Sequence, residues 1–192
     1  MANFTFYPNF HLAHYHGDEV IADTSVDPIN KYTHKGIDIQ VKAGTPIYAP
    51  RSGIVNYCTR SYSTSLGNGK FEYLRGEDES LIIIKDTKTN LFYIFGHVSF
   101  ASIPDSLKVE PSESQKETYV NQGDFLGCVF KWPYDKLPCI KIPRYIERVY
   151  GRSFDHLEFS IIYRLRPTTL SIFSELDHIK LNPLLLLKKL KI

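Results

Sequence analysis

An apolar, β-branched run, Leu81–Lys85, and a largely apolar, aromatic one, Leu91–Val98, stand on either side of Asp86-Thr87-Lys88-Thr89-Asn90. Runs of that length bounded by polar turn residues read as a strand and its hairpin partner, not as a helix. The same pattern recurs along the chain. Ile37-Asp38-Ile39-Gln40-Val41 alternates apolar and polar, as a half-buried strand does, and Lys42-Ala43-Gly44-Thr45-Pro46 reads as a turn. Ile47–Pro50 and Ile54–Tyr57 read as short strands around Arg51-Ser52-Gly53, and Asp124–Val129 and His156–Tyr163 as two more. Pro104–Thr118 is polar and reads as a loop with room for one helical turn. The 13 Tyr and 12 Phe suit strands. Together these predict a mostly β chain, an antiparallel sandwich or open barrel with long loop insertions.

No internal repeat or low-complexity linker divides the sequence, so residues 1–192 are expected to form a single domain. Residues 1–31, broken by Pro8, Gly17 and Pro28, are predicted to be an irregular N-terminal segment. Ser63–Glu79, rich in Gly, Ser and charge, is predicted to be a long loop. Residues 131–155 read as an insertion interrupted by Pro133, Pro138 and Pro143, with one or two helical turns over Tyr145–Tyr150. Pro183 falls in a last irregular piece.

The net charge of +2, from 23 basic and 21 acidic side chains, leaves no electrostatic footprint for a nucleic acid. Lys188-Lys189-Leu190-Lys191 reads as a solvated basic end. Cys58, Cys128 and Cys139 are odd in number and widely spaced, which points to free thiols or small core residues instead of a disulfide framework or a metal motif. The opening MANFTFYPNFHLAHYH lacks the basic start and apolar run of a signal peptide. No stretch reaches the roughly 20 apolar residues of a spanning helix. A substrate outside the cytoplasm would place the chain there; without one, the cytoplasm is expected.

Histidines and carboxylates recur at strand spacing. On an extended backbone, positions two or four apart share a face. His34 and Asp38 would then point the same way at the start of a strand, and so would His156 and Glu158, while Leu157 and Phe159 pack inward. Tyr93-Ile94-Phe95-Gly96-His97 brings a further His to a strand end, after a Gly that permits close approach of another group. Imidazole and carboxylate are ordinary zinc ligands and proton carriers. Each pair alone also suits surface polar residues or packed strand histidines; three strands ending in such residues favour chemistry.

His34-Lys35-Gly36-Ile37-Asp38-Ile39, Gly44-Thr45-Pro46-Ile47-Tyr48-Ala49-Pro50 and Gly53-Ile54-Val55 resemble, in order and spacing, the signature of the lysostaphin/LytM-type zinc metallopeptidases, which hydrolyse peptide crosslinks in bacterial cell walls. Phe95-Gly96-His97-Val98-Ser99 resembles that family's aromatic-x-His-Leu-Ser segment. Val120–Gly127 resembles its Val-x-x-Gly-x-x-Ile-Gly segment, and Asn182-Pro183-Leu184 its closing Asn-Pro-Leu. The resemblance implies the family's β fold, built on a duplicated hybrid motif. It also implies one zinc ion held by His34, Asp38 and the second His of a His-x-His strand. That strand matches His156-Leu157-Glu158, so Glu158 occupies the third ligand position. By the same resemblance His97 and His156 flank the attacking water. One takes its proton, and the pair stabilises the oxyanion and protonates the leaving amine.

Glu158 is the largest departure. Carboxylate oxygen binds zinc at about 2.0–2.2 Å, so the substitution is chemically competent. Two carboxylate ligands neutralise the ion and make it a weaker Lewis acid, which implies a slower hydrolase and room for a harder ion such as Mn²⁺. The insertion 131–155, carrying Trp132, Tyr134, Tyr145 and Tyr150, replaces the short Gly-rich link that precedes His-x-His in the family. It would wall the substrate groove. Among His11, His14 and His16, the latter two could add a ligand or block the metal, or simply belong to a polar leading segment.

The expected function is a metal-dependent endopeptidase with peptide or peptidoglycan as substrate. The competing expectation is a catalytically inactive module on the same fold that binds peptidoglycan or peptide, or regulates a partner. A third is scaffold or assembly work, with the histidines apart in space.

Overall fold

The computed structural model describes residues 11–14, 19–21, 31–33, 36–60, 78–108, 118–131, 155–164 and 178–184. In chain order the strands are β1 (His11–His14), β2 (Glu19–Ile21), β3 (Lys31–Thr33), β4 (Ile37–Gln40), β5 (Pro46–Tyr48) and β6 (Gly53–Arg60). After them come β7 (Glu79–Asp86), β8 (Leu91–Ser99), β9 (Thr118–Val120), β10 (Phe125–Cys128), β11 (His156–Arg164) and β12 (His178–Leu181). Helical structure among the described residues amounts to two 3-10 turns, Phe100–Ser102 and Asp105–Leu107, and a helical Pro183-Leu184.

An eight-stranded antiparallel sheet runs β1-β4-β11-β8-β7-β6-β9, with β12 pairing β11 beyond the end of β4. The sheet is open, with β1 and β9 at its edges. The β7–β8 hairpin closes over Asp86, whose carboxylate accepts from the backbone N–H groups of Lys88 and Thr89. This is the turn chemistry expected of an Asp opening a loop. β5 and β10 form a separate ribbon. The ribbon is tied to the sheet where Val129 bridges Val98 and Phe130 N–H donates to the His97 carbonyl.

The main core fills the space between the ribbon and one face of the sheet. Ile37, Ile39, Phe95, Leu157, Phe159 and Ile161 of the sheet pack with Ile47, Leu126 and Val129 from the ribbon side. Cys58 lies in this core as a thiol. Alternation turns the intervening residues to the other face, where Ile83, Phe92 and Ile162 make a smaller cluster. The chain is therefore mostly antiparallel β, a two-layer arrangement, as the strand pattern predicts.

Three expectations are corrected. The segment 1–31 is not irregular throughout, since it contains β1 and β2, and β3 begins at its end. Such short strands carry too few residues for a period to show, and their pairing is supplied by neighbours: β1 by β4, β2 by β3. Glu79 belongs to β7 and not to the preceding loop. β12 was unforeseen; it extends the sheet along β11 just before Asn182-Pro183-Leu184. Residues 132–154 and 61–77 lie outside the described residues.

Candidate active site

The sheet face opposite the main core carries the chemistry. Asp38 on β4 sits directly opposite Glu158 on β11, and Glu158 in turn sits opposite Gly96 on β8. His156, two positions before Glu158, shares its face and lies opposite Gln40. Leu157 and Phe159 between them pack in the main core, so the alternation read from the sequence holds.

Gly36 and Gly96 make this row compact. A Cβ at Gly36 would collide with the Ser160 hydroxyl, and one at Gly96 would lie 3.0 Å from Glu158 Oε2 and 3.2 Å from its Cβ. The absence of a side chain at Gly96 lets Glu158 lie close across β8.

His97 reaches the same face by an irregularity. Phe95 points into the main core, so strict alternation would send Gly96 to the site and His97 back to the core. The β7–β8 register instead shifts between Ser80 and Ile82, leaving Gly96 and His97 opposite Leu81 alone, and His97 takes φ 59°. This β-bulge turns His97 onto the site face. Its ring meets His156 edge-on, with centroids 4.5 Å apart and planes at 68°, and its Nε2 lies 3.8 Å from Glu158 Oε2. His97, His156 and Asp38 are buried, whereas the Glu158 side chain is 43% exposed. The site is thus a largely desolvated cluster that opens to solvent at Glu158.

A further carboxylate belongs here. Glu79 on β7 is 2% exposed, and its Oε1 lies 2.5 Å from His97 Nδ1. The sequence reading missed it because the stretch before Leu81 reads as loop. The available signal was Glu79-Ser80 running without a break into Leu81–Lys85.

Of the residues expected to hold a metal, Asp38 and Glu158 are side by side; His34 lies outside the described residues. Among the described residues no group of three or more His, Cys, Asp or Glu is arranged to hold a metal ion. The donor chemistry nonetheless suits a cation. Two carboxylates directly opposite on neighbouring strands repel unless a positive charge or a proton lies between them. Asp38 and Glu158 are oxygen donors of the kind a divalent ion takes, and an imidazole for such a site would have to come from another residue. On the other side of Asp38, β1 places His14 opposite it in register and His11 opposite Gln40; His16 lies outside the described residues. A separate hollow lined by Ile54, Lys85, Asp86 and Tyr163 lies at the turn end of β7–β8, the other end of β8 from His97.

The fold is that of the lysostaphin-type peptidases, here with histidines and carboxylates on one sheet face. The antimicrobial peptidase lysostaphin from Staphylococcus simulans superposes with TM-score 0.55 at 16% identity, over 94% of this chain and 51% of that one. Its separate catalytic domain superposes with TM-score 0.53 at 17% identity, over 93% and 92%. LytU superposes with TM-score 0.52 at 15% identity, over 96% and 89%. This chain thus spans about half the length of whole lysostaphin. At these identities the likeness is one of fold. No protein-family model and no curated protein matches the chain. Among the described residues no helix is long and apolar enough to cross a membrane.

Proposed function

We propose that the chain is a metal-dependent endopeptidase that hydrolyses peptide bonds in peptidoglycan or a related peptide. In this reading His34, Asp38 and Glu158 hold one zinc ion, or Mn²⁺ in its place, and His97 and His156 are the catalytic pair. The observation that carries it is the meeting of His97, His156 and Glu158 on the face that also bears Asp38. The peptidase fold supports the reaction class.

Bound there, the metal would polarise the scissile carbonyl and acidify the attacking water. The rest falls to the chain's own groups. A histidine ring nitrogen takes a proton from the water as its oxygen adds to the carbonyl carbon and the π pair moves onto the carbonyl oxygen. The second imidazole hydrogen-bonds that oxyanion. As the C–N bond breaks, the imidazolium returns its proton to the leaving nitrogen. Buried histidines and a half-exposed carboxylate suit a groove that admits an extended peptide at the Glu158 side.

A second reading has its own observation. Glu158 stands where the family pattern has a second imidazole, and a carboxylate there makes a weaker Lewis acid, so a peptide-binding module without turnover is the alternative. Metal analysis and cleavage of crosslinked peptidoglycan peptides decide between them. One equivalent of metal with chelator-sensitive cleavage supports the enzyme; metal without cleavage, or none after zinc is supplied, leaves the binding module.

A further inference from the structure

The carboxylate of Glu79 is the buried acid on the site face that the proposed mechanism does not use. It is among the most enclosed side chains of the described residues, and its Oε1 is hydrogen-bonded to His97 Nδ1. A buried carboxylate in a strand is costly unless it is paired. Here it faces the histidine that the bulge has turned onto the site.

The backbone around Glu79 is pinned on both sides. The Asp78 carboxylate accepts from the Ser99 hydroxyl at 2.6 Å and from the Ala101 backbone N–H at 2.7 Å, and the Ser80 hydroxyl donates to the Val98 carbonyl at 2.9 Å. Glu79 itself stands opposite Ser99 in register. These bonds tie Asp78–Ser80 to the stretch just after His97, so carboxylate and ring are held on one rigid piece of hairpin. The strained φ of His97 persists because this frame and the Phe130 N–H bond to the His97 carbonyl hold it.

We propose that Glu79 is a positioning residue that fixes the tautomer and orientation of His97. This rests on the hydrolase reading for its consequence but not for its geometry. In this arrangement Glu79 is ionised and only accepts, so Nδ1 carries the proton it offers to Glu79. In the neutral ring the lone pair then resides on Nε2, the nitrogen 3.8 Å from Glu158 Oε2 and facing the site. His97 is thereby the acceptor of the water proton, which goes to Nε2, and Glu79 stabilises the imidazolium that results, as an orienting carboxylate does beside other catalytic histidines. His156 is left to bind the oxyanion.

The test is the ring ¹⁵N spectrum of histidine-labelled protein, with His97 assigned by its loss in His97→Ala, together with peptide-cleavage kinetics of Glu79→Gln. Gln keeps the volume but can offer its NH₂ to Nδ1. The wild type is expected to show His97 as a single Nδ1–H tautomer. Glu79→Gln is expected to lose that signature and to lower kcat about 100-fold with KM changed by less than about threefold. A wild-type His97 protonated on Nε2 alone, or averaged between tautomers, overturns the proposal whether or not the variant folds. So does an active Glu79→Gln with unchanged kcat. A wild type that shows the Nδ1–H signature yet cuts no peptide overturns the hydrolase reading and supports the positioning role.

Discussion

Asp38 and Glu158 face each other directly across β4 and β11, two carboxylates on one side of the sheet with no residue between them. Like charges at directly opposed strand positions disfavour one another by about 0.2–1 kcal/mol. Glu158→Gln should therefore raise thermal stability slightly in the presence of a chelator. With zinc supplied the order should reverse, because the wild type alone gains from binding. Melting curves with and without zinc check the crossing; parallel shifts would remove the metal from this pair.

Glu158→His restores a second imidazole to the strand. It replaces one negative donor with a neutral one and leaves the ion more electrophilic. Zinc affinity should favour zinc over manganese more strongly than in the wild type, and peptide hydrolysis should rise by about tenfold. Competition with a chromogenic chelator and a cleavage assay measure the two effects separately.

Gly96→Ala places a methyl group 3.0 Å from Glu158 Oε2 and 3.2 Å from its Cβ. The carboxylate has to move away from β8, and the cost of crowding is about 1–3 kcal/mol. The expected outcome is a modest fall in melting temperature accompanied by a loss of metal affinity of at least about tenfold, as misplacing a ligating group produces. Unchanged metal affinity would show that the position of Glu158 does not matter to binding.

Tyr93 supplies a pH effect at the far end of β8. Burial first, then the charge of Asp86 and a 3.4 Å hydrogen bond to it, push its hydroxyl up to about 12, against an opposing pull from Arg51. The unfolded chain releases this proton near pH 10. Between those values the unfolded state holds fewer protons than the folded one, so stability falls as pH rises through that window and is complete below it. Tyr93→Phe should lose less stability than the wild type between about pH 10 and about pH 12, read by urea denaturation.

Where the sequence obeys simple periods, the fold was legible. His156-Leu157-Glu158-Phe159 alternates cleanly, and its two faces are the site and the core. The β7–β8 hairpin was readable from its turn residues. His97 was legible as a residue but not as a direction, because its face is set by a bulge opposite Leu81. Glu79 was hidden by the Gly-, Ser- and charge-rich stretch before it. β1, β2 and β12 were missed because three or four residues cannot establish a period, and their extended form comes from the strands they pair with. The placement of His34, and with it the imidazole expected to complete the donor set, lies outside the described residues.

The joints on either side of residues 132–154 have a consequence for how such a chain can vary. Phe130 donates its N–H to the carbonyl of His97, and Asp155, which precedes His156, accepts from the Ala43 N–H at 3.3 Å. The segment therefore leaves and rejoins the sheet beside the two histidines. Both joints are thus fixed beside the two histidines, whatever runs between them. If the chain cuts peptides as proposed, a change in length between residues 131 and 155 would reach the histidine pair before it reached any distant strand.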